Sequence, residues 1–161
     1  MCAIKLAYDD FEDEDTWLVI HSSLLNFRMA FLLNKYLKTR FRFVKEVIRN
    51  ESENSSFEFM QYEFYDKKLD SYWKLVENKS FSTQNNFHNT LGMFDLESIS
   101  IAQYMIPDHK KVDYILKIEN VMTDQEVQSL IQKINNIPQV TLVYQMPIKF
   151  QKSKKNLLYK V

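Results

Sequence analysis

The sequence is poor in residues that let a backbone approach a ligand closely. It contains one glycine, Gly92, and one cysteine, Cys2, among 161 residues. Rossmann fingerprints, P-loops and nucleophile elbows each need several backbone positions with positive φ or close approach, so one glycine excludes them. A single cysteine excludes a disulfide within the chain and leaves too few thiolates for a zinc cage.

Metal-binding patterns are also missing. His21, His88 and His109 are separated by tens of residues, and the sequence has no His-Glu-x-x-His motif. We therefore expect neither a metal ion nor a cofactor. His21 follows the apolar run 17–20 and is expected to be an ordinary histidine at a strand end.

The sequence has no long hydrophobic run. Its longest apolar segment, residues 24–37, is interrupted by four polar or charged residues and is shorter than the roughly 18 apolar residues of a membrane span. The N-terminus runs into acidic residues at 9–15 rather than into the apolar core of a secretion signal. Together with the lone cysteine, these features predict a soluble protein of the reducing cytoplasm, without a membrane partner.

Charge of one sign does not dominate. Lys plus Arg and Asp plus Glu both number 21, which gives no overall attraction to nucleic acid or anionic lipid. Acids are concentrated at residues 9–15 and bases in a C-terminal tail at about 149–161. These are either two solvated ends or ends that attract each other within a chain or across a dimer, at about 0–1 kcal/mol per exposed pair.

The periodicity of apolar residues predicts eight strands and two helices. The strands are expected at 4–8, 17–20, 41–48, 57–65, 72–76, 99–106, 112–119 and 140–146, with loops at 50–56 and 78–90 and a bulge between Phe59 and Met60. Pro107 should end strand 99–106, which then forms a hairpin with 112–119. Ser22 or Ser23 should cap the first helix, and Thr123 with Glu126 the second.

This order of elements is typical of the α+β class. We expect one domain over residues 1–161, with a mostly antiparallel sheet and two main helices packed on one face. The C-terminal strand-helix-strand unit, residues 112–146, is similar in shape to half of a ferredoxin-like or ACT-like fold.

The first predicted helix is apolar over a wide arc. One side carries Phe27, Ala30, Leu33 and Leu37. The adjacent side carries Leu25, Met29, Leu32 and Tyr36. So wide an arc needs more than one covering layer, either a second element of the same chain or a second subunit. The second alternative makes Leu25, Met29, Leu32 and Tyr36 candidates for a homodimer face.

Asp113 is the only acid within a strongly β segment, where aspartate is disfavoured. It could act with Asp108 and His109 in a pocket near the hairpin, since acid–base chemistry needs a desolvated carboxyl group. It could instead accept backbone amides at the turn or pair with Lys117. Both interpretations are open.

Residues 40–45 interleave Arg40, Arg42 and Lys45 with aromatic residues. Such a pattern can serve nucleic acid, because arginine binds phosphates while bases stack on rings. It is equally the pattern of a half-buried strand with Phe41 and Phe43 inward. The neutral total charge and the lack of an RNA-recognition motif argue against nucleic acid as a partner.

Residues 104–114, Tyr-Met-Ile-Pro-Asp-His-Lys-Lys-Val-Asp-Tyr, resemble the signature of the bacterial IPExxxVDY family. Residues 18–23, 30–35 and 152–158 also resemble that family, so the likeness covers nearly the whole chain. Asp108 stands where the family name has glutamate. The family carries no assigned activity, so the resemblance implies a small cytoplasmic protein and no catalytic residue.

Three functional hypotheses follow. The first is a non-enzymatic protein-interaction or regulatory domain, homodimeric or bound to another protein, because apolar residues are abundant and catalytic motifs are missing. The second is a small-ligand-binding protein or enzyme with a pocket near residues 106–114, using Asp108, His109, Asp113 and Tyr114. The third is an RNA-binding protein that uses Arg40, Arg42 and Lys45.

Overall fold

The computed structural model describes residues 15–45, 48–52, 55–84, 99–120 and 122–146. The strand predicted at 4–8, the residues Cys2, His88 and Gly92, and the basic tail at 149–161 lie outside the described residues.

The described residues form two helices, ten strands and one short 3-10 turn. In chain order they are β1 Thr16–Ser22, α1 Asn26–Leu37, β2 Arg42–Phe43, β3 Ile48–Ser52, β4 Ser55–Phe59, β5 Gln61–Asp66, β6 Ser71–Glu77, β7 Lys79–Gln84, β8 Ile99–Tyr104, the 3-10 turn Pro107–His109, β9 Tyr114–Ile118, α2 Asp124–Asn135 and β10 Val140–Gln145. Neither helix is long and apolar enough to cross a membrane.

Six strands form an antiparallel sheet in the order β10-β1-β9-β6-β5-β2. Two separate ribbons, β3–β4 and β7–β8, complete the strand pairing of the described residues. β9 and β10 flank β1 and both run antiparallel to it, so they are parallel to each other, with α2 as the connection. The predicted α+β class and the C-terminal strand-helix-strand unit are confirmed, and the unit is a split one with β1 between its strands.

The sheet is covered on both faces. On one face, both helices pack over a core that includes Leu18, Ile20, Leu75, Leu116 and Ile134. On the other face, a second core joins Trp17, Val19, Val76 and Ile115 to Phe57 and Phe59 of β4 and to Met105 and Ile106. Both helices therefore lie on one face of the sheet, as predicted, and the ribbon β3–β4 covers part of the other face.

The two helices begin differently. The predicted capping box of α2 is confirmed: the Thr123 amide donates to Glu126 Oε2 at 2.8 Å, and the Glu126 amide donates to Thr123 Oγ at 3.3 Å. The predicted serine cap of α1 is wrong, because Leu25 occupies the N-cap position without a side-chain bond. Ser22 lies in β1, where its hydroxyl donates to the carbonyl of Gln139 at 2.9 Å.

Several turns are made without glycine. Lys38, Asp70 and Gln139 have left-handed backbones, with φ of 58°, 47° and 70°. Each costs about 1 kcal/mol relative to a right-handed residue, because the Cβ atom crowds the backbone. Lys38 ends α1 in this conformation, and Asp70 closes the connection between β5 and β6.

The strand predicted at 41–48 is wrong in extent. β2 contains only Arg42 and Phe43, and Phe43 is 51% exposed rather than inward because this short strand lies at the sheet edge. The predicted bulge after Phe59 is a change of sheet, since β4 pairs with β3 and β5 pairs with β6. The regions predicted as loops at 50–56 and 78–90 contain parts of β3 and β4 and the whole of β7.

The predicted hairpin between 99–106 and 112–119 is also wrong. β8 pairs with β7, whereas β9 lies between β1 and β6 in the main sheet. All five residues of β9 are buried, which is typical of a central strand with partners on both sides. Pro107 opens a 3-10 turn between the two strands instead of ending a shared ladder.

Candidate functional site

Asn78 anchors the turn that carries the predicted site residues. Its side chain is fully buried between β6 and β7. Asn78 Oδ1 accepts the amide of Ile106 at 2.8 Å, while Nδ2 donates to the carbonyls of His109 and Val112 at 3.0 and 2.8 Å. One amide side chain thus holds both ends of the turn. This role has no signal in the sequence, because an asparagine within a polar stretch predicts only a loop.

Asp113 and Tyr114 fasten the connection between β1 and α1. Asp113 Oδ2 accepts the backbone amide of Ser22 at 2.8 Å. The hydroxyl of Tyr114 donates to the carbonyl of Leu24, and burial raises the pKa of this phenol above its ordinary value. Lys117, the other partner considered for Asp113, pairs instead with Asp15 and Glu119.

Asp108 and His109 lie in the 3-10 turn, where Asp108 is exposed and His109 is partly buried. Three clefts, of about 510, 700 and 790 Å³, are lined by described residues elsewhere on the chain. Asp108, His109, Asp113 and Tyr114 line none of these three clefts. Asp108 and His109 thus lie in the 3-10 turn, Asp113 lies in the link that follows it, and Tyr114 is the first residue of β9.

The described histidines do not assemble a metal site. His21 stacks on the ring of Tyr144, with centroids 5.7 Å apart. Within the part of the chain that the structure describes, no group of three or more His, Cys, Asp or Glu side chains could hold a metal ion.

A partly buried hydrogen-bond chain joins α1, β5 and β6. The hydroxyl of Tyr62 donates to Asn26 Oδ1 at 3.0 Å, and Asn26 Nδ2 donates to Glu77 Oε2 at 3.1 Å. Burial raises the pKa of Glu77, the Asn26 bond lowers it, and the charge of Asp113 raises it further. Burial and the charge of Glu77 also raise the pKa of Tyr62, so this phenol is a hydrogen-bond donor rather than a nucleophile at neutral pH.

Glu77 and Asn26 line the cleft of about 510 Å³ together with Glu58, Lys79 and Ser80. This arrangement can accept a hydrogen bond from a small ligand or take up a proton at Glu77. The sequence carries no local sign of this arrangement. Asn26, Tyr62 and Glu77 come from three distant segments, and none of them breaks a local sequence preference.

The predicted homodimer face is corrected by the structure. Met29 is fully buried, and Leu32 packs against the core beneath the helices. Leu25 and Tyr36 are exposed, at 64% and 39%. The four residues therefore do not form one outward surface, because the side of α1 that bears Met29 and Leu32 is largely used by the monomer's own core.

A different surface of α1 is apolar and exposed. We call it the α1 face: the apolar residues Leu25, Phe27 and Phe31 with the cations Arg28 and Lys35. Leu25, Phe27 and Phe31 are 64%, 61% and 64% exposed, and both cations are also exposed. Between residues 16 and 45 the sequence contains six basic residues and no acidic one. The α1 face is therefore both apolar and positively charged.

A second basic surface lies at the β2 edge of the sheet. We call it the cationic cleft: it has a volume of about 790 Å³ and is lined by the five cations Lys38, Arg40, Arg42, Lys67 and Lys68, with Leu37, Glu63, Phe64, Tyr65 and Asp66. Two of the three basic residues proposed for RNA, Arg40 and Arg42, line it, whereas Lys45 does not. Lys67 and Lys68 reach the cleft from the β5–β6 turn.

Comparison of the chain with protein-family models, with curated proteins and with solved structures finds no match. The resemblance to the IPExxxVDY family stays a prediction from sequence. The geometry of the described surfaces is therefore the basis for any statement about function.

Proposed function

We propose that the protein is a non-enzymatic interaction domain of the bacterial cytoplasm that binds another protein through the α1 face. The observation that carries this proposal is the exposure of Leu25, Phe27 and Phe31, each above 60%. Large apolar side chains grouped on one exposed surface are typical of a protein–protein interface.

The monomer does not need these side chains for its own core. Met29, Ala30 and Leu33 already pack α1 against the sheet, and all three are buried. Burying an exposed phenylalanine in a partner contributes about 1.5–3 kcal/mol. Phe27 and Phe31 are one helical turn apart, so one partner segment can cover both.

The charge of the α1 face favours an acidic partner. Arg28 lies one turn before Phe31 and Lys35 one turn after it, and the helix contains no acidic residue. In a symmetric dimer through this face, the same cations of two copies would approach each other. An amphipathic helix with acidic residues beside apolar ones complements both features, because apolar anchors fill the surface and carboxylates meet Arg28 and Lys35.

The test uses an acidic amphipathic peptide selected by display against the full-length protein, with a peptide of reversed charge as the comparison. Fluorescence anisotropy measures binding to the wild type and to the double variant Phe27→Ser, Phe31→Ser. We expect the double variant to bind at least about tenfold more weakly, as for residues at the centre of an interface. Leu142→Ser is the control, because Leu142 is 48% exposed on the edge strand β10 and does not belong to the α1 face.

Two results would overturn this assignment. One is unchanged peptide affinity in the double variant. The other is sedimentation of the wild type as a dimer that the double variant converts to a monomer, which would assign the α1 face to self-association.

A second candidate function is small-ligand binding at the cleft beside Glu77. The observation in its favour is that a carboxyl group with a raised pKa lines a cleft of about 510 Å³ together with its hydrogen-bond partner Asn26. Screening a fragment library by NMR tests it: fragments that shift the Glu77 and Asn26 signals should lose affinity in Glu77→Gln. Fragments that bind this variant equally well would rule out the site.

A further inference from the structure

We infer that the cationic cleft binds a nucleotide unit, with its phosphates held by the cleft's cations and its base stacked on Tyr65. This inference is independent of the α1 face, since it uses different residues and a different ligand. The nucleotide unit belongs either to a free nucleotide or to a single-stranded nucleic acid.

The first support is the convergence of charge. The five cations come from the end of α1, the α1–β2 connection, the edge strand β2 and the β5–β6 turn. Folding therefore brings together charges that are about thirty residues apart in the sequence. None of the five forms an ion pair with a carboxylate of the described residues. Like charges around one cleft repel each other, and a ligand with several negative charges relieves that repulsion.

The two acids of the cleft have partners of their own. Glu63 pairs with Lys74 on β6 at 3.1 Å. Asp66 Oδ1 accepts the backbone amide of Lys68 at 2.9 Å. The guanidinium groups of Arg40 and Arg42 are therefore open to a ligand, and their planar donors match the oxygens of a phosphate.

The second support is an aromatic platform. Tyr65 lines the cleft and pairs across the strands with Tyr72, with ring centroids 4.6 Å apart. The hydroxyl of Tyr65 donates to Asp70, and this bond fixes the ring in addition to its contact with Tyr72. Because Tyr72 does not line the cleft, it supports the Tyr65 ring from outside. A fixed aromatic ring beside arginines is the arrangement that stacks a base while cations bind its phosphate.

The third support is size. A volume of about 790 Å³ lies within the range of small-ligand sites, so it can hold a nucleotide. The neutral net charge of the whole chain does not oppose nucleotide binding, because the charge close to the site decides binding. Residues 16–45 contain lysines and arginines but no aspartate or glutamate.

The experiment measures binding of two probes to the full-length protein. A labelled single-stranded oligouridine of about ten nucleotides is followed by anisotropy across a range of salt concentrations starting at about 50 mM. ADP is followed by calorimetry in the same buffer. If only the oligouridine binds, the natural ligand is a single-stranded nucleic acid. If ADP binds and the oligouridine binds no more tightly than ADP, the ligand is a free nucleotide. Both results support the inference.

The variants separate the two halves of the site. Arg40→Gln with Arg42→Gln should weaken oligouridine binding at least tenfold and lower the slope of log affinity against log salt by about 1.4, or about 0.7 per phosphate contact. Tyr65→Leu should weaken binding of either probe with no change in that slope, because it removes stacking and no charge. Lys110→Gln with Lys111→Gln is the control: it removes two exposed charges away from the cleft and should change neither quantity.

The results that would overturn the inference are distinct from those that concern the α1 face. Failure of both probes to bind at about 50 mM salt would do so. If inorganic pyrophosphate binds as tightly as the two probes and Tyr65→Leu has no effect, the cleft is a site for any polyanion. If an oligoglutamate binds as tightly as the oligouridine, the cleft is a protein-docking surface. Phe27→Ser with Phe31→Ser should leave oligouridine binding unchanged.

Discussion

Asn78 and Ile106 are joined by a buried hydrogen bond of 2.8 Å, from the backbone amide of Ile106 to the side-chain oxygen of Asn78. The bond fixes the start of the 3-10 turn to the end of β6. Since β8 and β9 do not pair with each other, nothing in a shared ladder holds this turn. Asn78 takes the place of that ladder, through its side chain and through main-chain bonds to the Met105 amide and the Asp113 carbonyl, both of 2.8 Å.

Asn78→Ala should lower the free energy of unfolding by about 2–4 kcal/mol. The substitution removes the partner of the Ile106 amide and of the Val112 carbonyl, while the His109 carbonyl keeps the backbone amide of Val112 at 3.1 Å. A buried unsatisfied group costs about 1–3 kcal/mol. Urea denaturation followed by tryptophan fluorescence measures the change. Asn136→Ala is the control, because Asn136 is exposed and a substitution there should stay within about 0.5 kcal/mol. Equal losses in the two variants would show that Asn78 is not the anchor.

Elements with strong local signals could be predicted from the sequence. The capping box of Thr123 and Glu126 and the apolar spacing of α2 depend on residues within one or two turns, and both are present. The pairing of β8 and β9 could not be predicted, because two adjacent alternating segments are also the pattern of a hairpin. Their separation depends on β1 and β6, which enclose β9 from positions distant in the sequence.

The candidate sites show the same division. Asp113 stands out because aspartate is unusual in a predicted β segment, but it lies one residue before β9, and its partner, the Ser22 amide, is 91 residues away. Arg40 and Arg42 were found from their alternation with phenylalanine, whereas Lys67 and Lys68 belong to an ordinary polar turn. A local pattern thus identifies single residues, and the tertiary structure decides what each one meets.

Of the two carboxylates that pair with the buried amino group of Lys117, one should contribute more to the free energy of unfolding than the other. The Lys117 side chain is 2% exposed and pairs with Asp15 at 3.2 Å and with Glu119 at 3.0 Å. The Asp15 side chain is 10% exposed, whereas that of Glu119 is 41% exposed. Asp15→Asn should therefore cost about 2 kcal/mol of unfolding free energy, and Glu119→Gln about 0–1 kcal/mol. Thermal denaturation at low and high salt checks this, and equal losses would contradict it.

Glu77→Gln should stabilise the protein at neutral pH. Because the folded state raises the pKa of Glu77 above its ordinary value of 4.5, the folded state binds this proton more readily than the unfolded chain does. The stability of the wild type therefore falls as pH rises from 4.5 through the raised pKa, and it stays lower above it. The variant lacks this loss, so its advantage in melting temperature should grow with pH across that window and vanish below it. A variant that is less stable than the wild type at neutral pH would contradict the burial of Glu77.

Glu126→Gln should show a pH dependence of the opposite sign. The Thr123 backbone amide, followed by its hydroxyl, lowers the pKa of Glu126 below the ordinary value of 4.5. The carboxylate therefore stabilises the folded state above that ordinary value, and this stabilisation is lost as pH falls through the lowered pKa. The variant keeps a neutral oxygen that can accept the Thr123 amide, but it loses the charge that favours the positive end of α2. Its melting temperature should be lower than that of the wild type at neutral pH, and the gap should close in acid. Measuring Glu77→Gln and Glu126→Gln over the same pH range makes each variant the control for the other, and gaps of the same sign would contradict one of the two assignments.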